Sequence, residues 1–304
     1  MTTTPDAGRP PDCIIIGAAK AGTTSLFNML SQHPQVAASR FKEAKFFSDD
    51  ARFAKGWDWY QDEYFSGAQA SQMRLDATPA YLTWSDKTAP RILATYRQQP
   101  VKLVAILRDP VARTYSHYRH RVSLGHDTLS FREAVAQEDQ RLRADWETLS
   151  RTGNGKFGYI RASCYATRLT PFFDLFDRQA IHVMLQDDLA PDRIHETVRR
   201  LLTFLDLDST ITLRPVHLNV PTQARSQLLA RQYWRLKKTV AKRIATTLIP
   251  ASWRERAVGL LFAASTNPPM EPDLERMLRL RFADEVRACA ALVQRDLSHW
   301  LPSA

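Results

Sequence analysis

Residues 13–27 read Cys-Ile-Ile-Ile-Gly-Ala-Ala-Lys-Ala-Gly-Thr-Thr-Ser-Leu-Phe and combine three structural signals. The apolar run that ends at Gly17 is typical of a short buried strand. The hydroxyl-rich run after Gly22 is typical of a helix N-terminus. A strand, a glycine-containing turn and a helix N-terminus together form an anion-binding loop, because free backbone N–H groups and the helix dipole favour negative charge. The sequence therefore predicts that a phosphate or sulfate group binds here.

The candidate anion ligands of this loop are backbone N–H groups, one lysine and several hydroxyls. Lys20 lies inside the turn and supplies a point charge, and Thr23 and Thr24 supply hydroxyl donors. The full predicted set is Lys20, Ala21, Gly22, Thr23, Thr24 and Ser25. The spacing of Gly17 and Gly22 fits the nucleoside-triphosphate loop G-x-x-x-x-G-K-[ST], but Thr23 stands where that loop has lysine. A small-molecule kinase that binds ATP and Mg²⁺ is therefore an alternative that fits this loop less well.

A second strand-to-helix junction also carries anion-binding side chains. Residues 101–107, Val-Lys-Leu-Val-Ala-Ile-Leu, predict a buried strand, and Pro110 opens a helix at its preferred first turn. A P-loop NTPase would have an Mg²⁺-binding aspartate at the end of such a strand, whereas the first polar residue here is Arg108. Ser116 follows two turns into the helix, so Arg108 and Ser116 can contact one anion at the carboxyl edge of the sheet.

Both junctions resemble the nucleotide-binding segments of sulfotransferases that use PAPS (3′-phosphoadenosine 5′-phosphosulfate). The pattern K-x-G-T-T at 20–24 resembles their 5′-phosphosulfate loop, and L-R-D-P-V-x-R-x-Y-S-x-Y at 107–118 resembles their 3′-phosphate segment. Residues 42–47 (K-E-x-x-F-F), 76–81 (D-x-T-P-x-Y) and 163–169 resemble segments of the heparan-sulfate and bacterial branch. By this resemblance the chain is identified as a member of the family.

The resemblance implies a reaction, a cofactor and a role for each site residue. The sulfuryl group of PAPS would pass to a hydroxyl, in preference to an amine, of a carbohydrate, lipid or natural-product acceptor, and PAP (3′-phosphoadenosine 5′-phosphate) would leave. Lys20 and the loop N–H groups would stabilise the leaving oxygen and the sulfuryl oxygens. Arg108 and Ser116 would hold the 3′-phosphate, and Glu43 would be the catalytic base. No metal is expected, because the lysine and the helix dipole supply the positive charge.

The identity of the base has an alternative. In the cytosolic branch of the family the base is a histidine, and His33 and His117 are the candidates in this chain. Two positions also depart from the heparan-sulfate pattern. Ala77 stands where many of those enzymes have lysine, and Lys45 where they often have histidine. The resemblance therefore does not make the acceptor a glycosaminoglycan.

Alternating strand and helix patterns predict an α/β fold with a central parallel sheet. The resemblance extends this prediction to a P-loop NTPase-like three-layer sandwich with helices on both faces and a helical C-terminal extension. Strands are expected at 13–17, 73–77, 101–107 and 181–185. Helices are expected at 23–32, 86–97, 111–124, 130–145 and 161–176, and another helix follows the last strand and runs to about residue 205. The segment 223–297 is expected to be helical with breaks at Pro250, Pro268 and Pro269. Residues 1–12 are expected to be a flexible tail, 13–222 the PAPS-binding core and 223–304 an extension of the same domain.

The composition is that of a globular protein with an anionic partner. The 304 residues include 42 Lys and Arg against 32 Asp and Glu, a net charge of +10. Nine Lys and Arg residues but a single acid, Glu255, lie between Arg225 and Arg256. This basic segment is expected to close over the cleft. A basic protein that binds nucleic acid or a membrane surface without catalysis is the second alternative.

Partners and location follow from weaker signals. We expect a small-molecule or glycan acceptor rather than nucleic acid, with peripheral membrane contact through residues 225–256 as a further option. Three widely separated cysteines argue against a disulfide framework or a metal site. Together with residues 1–12, which lack the apolar run of a signal peptide, they favour the cytoplasm. The oligomeric state is not predicted.

Overall fold

A five-stranded parallel β-sheet forms the centre of the protein. The structure is a computed structural model that describes residues 11–96, 99–216, 222–224, 262–264 and 269–302. The strands are β1 (Cys13–Gly17), β2 (Val36–Ala38), β3 (Met73–Ala77), β4 (Lys102–Leu107) and β5 (Ile181–Leu185). All five residues of β1 and of β3 are buried, as expected for strands covered on both faces.

The strand order β2-β3-β1-β4-β5 places a change of direction next to β1. The chain runs from β1 out to the edge strand β2, returns through β3, and crosses to β4 on the other side of β1. Cys13 pairs with Leu75 of β3 and with Lys102 of β4. In open parallel sheets ligands bind outside the carboxyl ends of the strands at such a switch point. Here that point lies between the ends of β1 and β4.

Helices surround the sheet and follow most strands directly. They are α1 (Thr23–Leu30), α2 (Asp50–Phe53), α3 (Gly56–Phe65), α4 (Ala80–Thr83), α5 (Ser85–Tyr96), α6 (Pro110–Ser123), α7 (Phe131–Ala136), α8 (Glu138–Ala144), α9 (Trp146–Thr152), α10 (Tyr165–Leu175), α11 (Ile194–Phe204) and α12 (Pro272–Val293). Short 3₁₀ turns lie at Arg161–Ser163, Arg178–Ala180, Gln186–Leu189 and Ser298–Trp300. The predicted α/β fold with a central parallel sheet is confirmed.

The differences from the predicted elements are local. The helix expected at 130–145 divides into α7 and α8, because Gln137 ends one helix and caps the next. The helix expected at 161–176 begins as a 3₁₀ turn and continues as α10 after Cys164. Strand β2 and the short helices α2, α3, α4 and α9 were not predicted.

Aromatic packing fixes the segment between β2 and β3 to the core. Phe46 stacks on Tyr60 of α3 with ring centroids 4.4 Å apart, and Phe47 meets Tyr81 edge-on at 5.4 Å. All four side chains are buried. These four rings therefore belong to the core and do not form an open acceptor surface. The loop that carries Glu43 is therefore anchored to the core at its C-terminal end, through Phe46 and Phe47.

The C-terminal part differs from the all-helical extension expected there. Strands β6 (Thr222–Ala224) and β7 (Phe262–Ala264) form an antiparallel pair, so two short pieces of the segment 223–297 are extended. Strand β6 also crosses the expected boundary between residues 222 and 223. Helix α12 was predicted and packs against α10 and α6. The basic residues 225–256 lie outside the described residues. None of the described helices is long and apolar enough to cross a membrane.

Candidate active site

The predicted anion loop connects β1 to α1 at the switch point of the sheet. A Cβ atom on Gly17 would lie 2.6 Å from Cβ of Leu82, so the close approach of α4 excludes larger residues there. Gly22 caps α1 with a φ of 108°, and Lys20 has a φ of 70°, both in the left-handed region. The first N–H groups of α1 have no intrahelical partner and are available to an anion. The structure therefore gives the loop the geometry of an anion cradle.

The six predicted loop residues divide into lining and supporting positions. Ala21 is buried, and its N–H donates to the carbonyl of Ala18 at 3.2 Å, so it closes the turn. Thr23, Thr24 and Ser25 form the first turn of α1, as predicted. Ser25 also lines a cavity of about 370 Å³ between Gly22 and the segment 186–191 that follows β5. That segment forms one wall of the cavity and was not predicted as part of the site.

Lys20 lies in a strongly cationic environment. Burial lowers the pKa of its amine, and the charges of Arg108, Arg113 and Arg121 lower it further. The negative charge of Glu43 opposes this shift. A buried ammonium among three guanidinium groups is stabilised when an anion enters. The electrostatics of the loop therefore favour a ligand with several negative charges.

Arg108 joins the two predicted anion sites. It follows β4, and its Nη1 donates to the carbonyl of Lys20 at 3.3 Å, so the ends of β1 and β4 are linked directly. The Tyr165 hydroxyl donates to the Arg108 carbonyl at 2.8 Å and holds the backbone of this junction. Arg108 and Ser116 line one cavity of about 190 Å³. The structure thus brings together the two residues predicted to hold one phosphate.

Helix α12 supplies a wall of this cavity that the sequence did not indicate. Glu275 and Arg279 line it with Arg108 and Ser116. Nη1 of Arg279 donates to Asp109 at 3.0 Å, and Nη2 donates to Glu275 at 2.8 Å. The Arg279–Asp109 ion pair docks the C-terminal helix on the Arg108–Asp109 junction, and the Arg279–Glu275 pair lies within α12. No local sequence signal identifies the Arg279–Asp109 pair, because its partners are far apart in the chain.

Glu43 is held at the carboxyl end of β3. Its N–H donates to the carbonyl of Ala77 at 3.1 Å, and the N–H of Lys45 donates to Oγ1 of Thr78 at 3.3 Å. Glu43 and Lys45 have φ values of 65° and 56°, a conformation that is uncommon for residues other than glycine. The Glu43 side chain is 47% exposed, and its Oε1 lies 3.4 Å from Nζ of Lys42. Its carboxylate is therefore accessible from solvent.

The charge of Glu43 acts on Lys20 of the anion loop and on Arg121 of α6. Burial lowers the pKa values of Lys20 and Arg121, and the negative charge of Glu43 acts to raise both. The structure therefore groups Glu43 with Lys20, the two residues predicted to be catalytic. Arg121 of α6 was not predicted. The sequence shows it only as one of several basic residues on that helix.

Asp76 supports the Glu43 loop from inside the sheet. It is fully buried and accepts hydrogen bonds from the hydroxyls of Tyr60 (2.9 Å), Tyr81 (2.9 Å) and Thr78 (3.1 Å). Burial raises the pKa of Asp76, and these three hydroxyls act to lower it. Because Thr78 also accepts from the N–H of Lys45, the network connects the buried carboxyl to the loop at 43–45. The segment D-x-T-P-x-Y therefore supports the loop at 43–45 through hydrogen bonds.

The two candidate histidines have different surroundings. His33 is buried. Its Nδ1 accepts a hydrogen bond from the N–H of Gln35, and its Nε2 lies 3.1 Å from the carbonyl oxygen of Asp208. Both ring nitrogens of His33 are thus used by the backbone. His117 accepts on Nε2 from Nε of Arg121 at 3.4 Å. Burial and the charges of Arg113 and Arg121 lower the pKa of His117 well below its ordinary value, so its imidazole is neutral at neutral pH.

Potential metal ligands are dispersed through the described ranges. Among these residues, no group of three or more His, Cys, Asp or Glu side chains could hold a metal ion. All three cysteines are free, with Cys13 and Cys289 buried. The described residues at the switch point include cationic and hydroxyl groups, Lys20, Arg108 and Ser116 among them, and such groups fit a polyanionic nucleotide.

Comparison with known proteins agrees with the geometry of the cleft. The family model described as "Sulfotransferase domain" matches residues 10–247. The chain belongs to the sulfotransferase family. The match covers both the anion loop and the Arg108–Ser116 junction.

Within the aligned segments, two relatives in this family are 29% and 27% identical to the chain. The chain is 29% identical over 210 residues to heparan sulfate glucosamine 3-O-sulfotransferase 5 of Mus musculus. The aligned residues cover 69% of this chain and 57% of the relative. The chain is also 27% identical over 215 residues to the bifunctional heparan sulfate N-deacetylase/N-sulfotransferase of Drosophila melanogaster, covering 65% and 20%. The chain therefore spans little more than half the length of the first of these sulfotransferases and a fifth of the second.

A solved structure matches nearly the full length of the chain. A sulfotransferase from Alicyclobacillus acidocaldarius is 27% identical, covers 96% of this chain and 99% of its own, and superimposes with a TM-score of 0.69. The similarity confirms the predicted P-loop NTPase-like sulfotransferase fold.

Proposed function

We propose that this chain transfers a sulfuryl group from PAPS to a hydroxyl group of an acceptor. The proposal depends chiefly on the contact between Arg108 and the carbonyl of Lys20, which joins the two anion sites at the switch point. PAPS carries a 3′-phosphate and a 5′-phosphosulfate, and the Arg108–Ser116 cavity and the anion loop are the proposed sites for them. Membership of the sulfotransferase family supports the same donor.

The loop is proposed to hold the 5′-phosphosulfate. The N–H groups at the start of α1 and the hydroxyls of Thr23 and Thr24 would surround its oxygens, with Ser25 facing the adjoining cavity. Lys20 would lie at the oxygen that bridges phosphorus and sulfur. That oxygen gains negative charge as its bond to sulfur breaks, so a fixed cation there stabilises the transition state.

The acceptor hydroxyl is proposed to attack sulfur in line with the leaving oxygen. A new O–S bond forms, the S–O bond to the 5′-phosphate breaks, and PAP departs with the electron pair. The hydroxyl proton passes to the carboxylate of Glu43. The coupling of Glu43 to Lys20 supports this assignment, because a base and the leaving-group cation must face one reacting sulfuryl group.

Arg108 and Ser116 are proposed to hold the 3′-phosphate. Both line the cavity of about 190 Å³, and a phosphate there would receive a guanidinium and a hydroxyl hydrogen bond. Glu275 of α12 lines the same cavity, but its carboxylate is held by Arg279. The ion pair reduces the repulsion that the carboxylate would exert on a phosphate.

The acceptor is proposed to be a carbohydrate, lipid or natural product with a free hydroxyl. The relatives named above act, by their names, on heparan sulfate. Ala77 and Lys45 depart from the heparan-sulfate pattern, and Ala77 is fully buried beneath the Glu43 loop. The position that could carry a lysine near the reacting sulfur therefore offers no charge in this chain.

A transfer assay with ³⁵S-labelled PAPS tests this function. The protein is incubated with labelled donor and a panel of hydroxyl-bearing acceptors, and labelled product and released PAP are quantified together. Equal amounts of both are expected with at least one acceptor, and about a hundredfold less of each with Glu43→Gln. Consumption of ATP with Mg²⁺ in place of PAPS would instead support a kinase.

A further inference from the structure

Arg113 of α6 is a buried arginine that contacts the anion loop. Its side chain is fully buried, one turn before Ser116. Its Nη1 donates to the carbonyl of Ala19 at 3.3 Å, its Nε donates to Oγ of Ser163 at 2.6 Å, and its Nη2 donates to the carbonyl of Tyr159. One planar guanidinium therefore ties the loop to the segment that precedes α10.

Two consecutive carbonyls of the loop are each held by an arginine. Arg113 binds the carbonyl of Ala19, and Arg108 binds the carbonyl of Lys20. A carbonyl oxygen is the negative end of its peptide dipole and would repel an anion. Because a trans peptide points its C=O and N–H in opposite directions, drawing the Ala19 oxygen toward Arg113 turns the N–H of Lys20 away from it. Arg113 thus determines whether an anion would meet the N–H or the carbonyl oxygen of the Ala19–Lys20 peptide.

The charge of Arg113 has only neutral hydrogen-bond acceptors. The three acceptors are two backbone carbonyls and a serine hydroxyl. Among the described residues, no carboxylate lies within ion-pair distance of Arg113. A buried charge without a paired opposite charge is costly, and a nearby bound anion lowers that cost. The influence of Arg113 on Lys20 shows that this charge reaches the loop, since it lowers the pKa of the Lys20 amine alongside burial and Arg108.

We propose that Arg113 is a positioning residue, which holds the anion loop in its ligand-binding conformation and supplies it with buried positive charge. The inference rests on the proposed function for the identity of the ligand. It goes beyond that function, because Arg113 need not touch the nucleotide. A purely structural role, in which Arg113 only joins α6 to residues 159–163, is the competing explanation.

Arg168 provides a matched control. It is also a buried arginine, on α10, and it donates to Asp86 at 3.1 Å; within the described part of the chain it makes no hydrogen bond or ion pair with the loop. Loss of a buried guanidinium at either position should lower the melting temperature. Only loss at Arg113 should change nucleotide affinity as well. Comparing Arg113→Met with Arg168→Met therefore separates positioning of the loop from general support of the fold.

The test is calorimetric titration of wild type, both methionine variants and Arg113→Lys with PAP and with AMP. Arg113→Met should weaken both ligands by about tenfold or more, equivalent to about 1.4 kcal/mol, because both place a 5′-phosphate in the loop. Arg168→Met should stay within about twofold of wild type, a difference too small to count as an effect. Arg113→Lys keeps the charge but lacks the planar fork, so its affinity should also fall.

Two results would overturn the proposal. One is wild-type nucleotide affinity in a folded Arg113→Met. If Arg113→Met does not fold, wild-type affinity in a folded Arg113→Lys has the same meaning. The other is an equal loss of affinity in Arg113→Met and Arg168→Met. If wild type binds ATP and not PAP, the proposed function fails while the same comparison, made with ATP, still tests Arg113.

Discussion

The N–H of Glu43 donates a hydrogen bond to the carbonyl oxygen of Ala77 at 3.1 Å, at the carboxyl end of β3. This bond fixes a partly exposed side chain to the edge of a buried sheet. The backbone of Glu43 has a positive φ, which a non-glycine residue adopts at some energetic cost. The cost is offset by the bonds from residues 43 and 45 to β3 and Thr78. The backbone of Glu43 is therefore fixed before any substrate arrives.

Glu43→Gln should abolish most turnover while leaving the fold intact. The amide keeps the size of the side chain but cannot accept the acceptor's proton. Turnover should fall by about a hundredfold or more, the usual scale of general-base catalysis. Melting temperature and PAP affinity should stay close to wild type. Glu147→Gln, on the exposed face of α9, serves as the matched control and should be fully active. Near-normal turnover of Glu43→Gln, with a folded but inactive His117→Ala, would assign the base to histidine.

Arg108→Ala and Ser116→Ala should each weaken PAP binding. Each variant removes a donor to a phosphate dianion, and a hydrogen bond to a charged group contributes about 1.5–3 kcal/mol. Comparison of PAP with AMP, which lacks the 3′-phosphate, locates the loss. Ser116→Ala should leave AMP binding unchanged, whereas Arg108→Ala also loses its bond to the Lys20 carbonyl and should weaken AMP somewhat. Ser123→Ala, at the far end of α6, is the control. Equal losses of PAP and AMP in Ser116→Ala would contradict the 3′-phosphate assignment.

Lys20→Met should reduce turnover more than it reduces affinity for PAP. Its proposed partner is the charge that develops on the bridging oxygen, so much of its contribution appears only in the transition state. Single-turnover rates and PAP titrations on the same preparation separate the two effects. A defect confined to PAPS affinity would make Lys20 a passive ligand.

PAP binding should be coupled to proton uptake by Lys20 at alkaline pH. In the free protein, burial and then Arg108, Arg113 and Arg121 lower the pKa of the amine, with Glu43 opposing. A bound phosphate raises that pKa again, so the complex holds more protons than the free protein. PAP affinity should therefore fall as pH rises through the free-state pKa of Lys20.

Calorimetry in buffers of different ionisation enthalpy measures this uptake directly. At roughly pH 8.5, about two units above the ordinary histidine value, histidines contribute little. His120 needs this precaution, because burial, Lys20 and Arg121 lower its pKa to about 4 and an anion would raise it. Lys20→Met should bind PAP without proton uptake at that pH. Unchanged uptake in this variant would identify another group as the proton acceptor.

Elements with strong local patterns could be predicted from the sequence. The apolar run Cys13–Gly17 and the run Lys102–Leu107 form β1 and β4, and the polar residues after them meet at the switch point. Strand β2 is three residues long and depends on pairing of Val36 with Met73, so its own sequence carries little signal. The role of Glu43 as the base could be predicted only from the family resemblance. The position of Glu43 depends on a hydrogen bond to β3, which the local sequence does not indicate.

Residues whose partners are distant in sequence could not be assigned a role in advance. Arg113 stands inside a recognisable motif, but its contacts are with Ala19, Tyr159 and Ser163, which only the fold brings together. Arg279 likewise reaches Asp109 from the C-terminal helix. Local patterns indicate strands, loops and charges, whereas the supporting bonds between them follow from tertiary packing.

We expect this cleft to bind the nucleotide of PAPS through two separate phosphate sites. Calorimetric titration of the wild-type protein with PAP and with ATP plus Mg²⁺ tests it most directly. ATP lacks the 3′-phosphate and should lose the contacts of Arg108 and Ser116. PAP should therefore bind about a hundredfold more tightly than ATP, a difference of about 2.7 kcal/mol, and Arg108→Ala should remove most of this preference. Equal or tighter binding of ATP with Mg²⁺ would contradict the account.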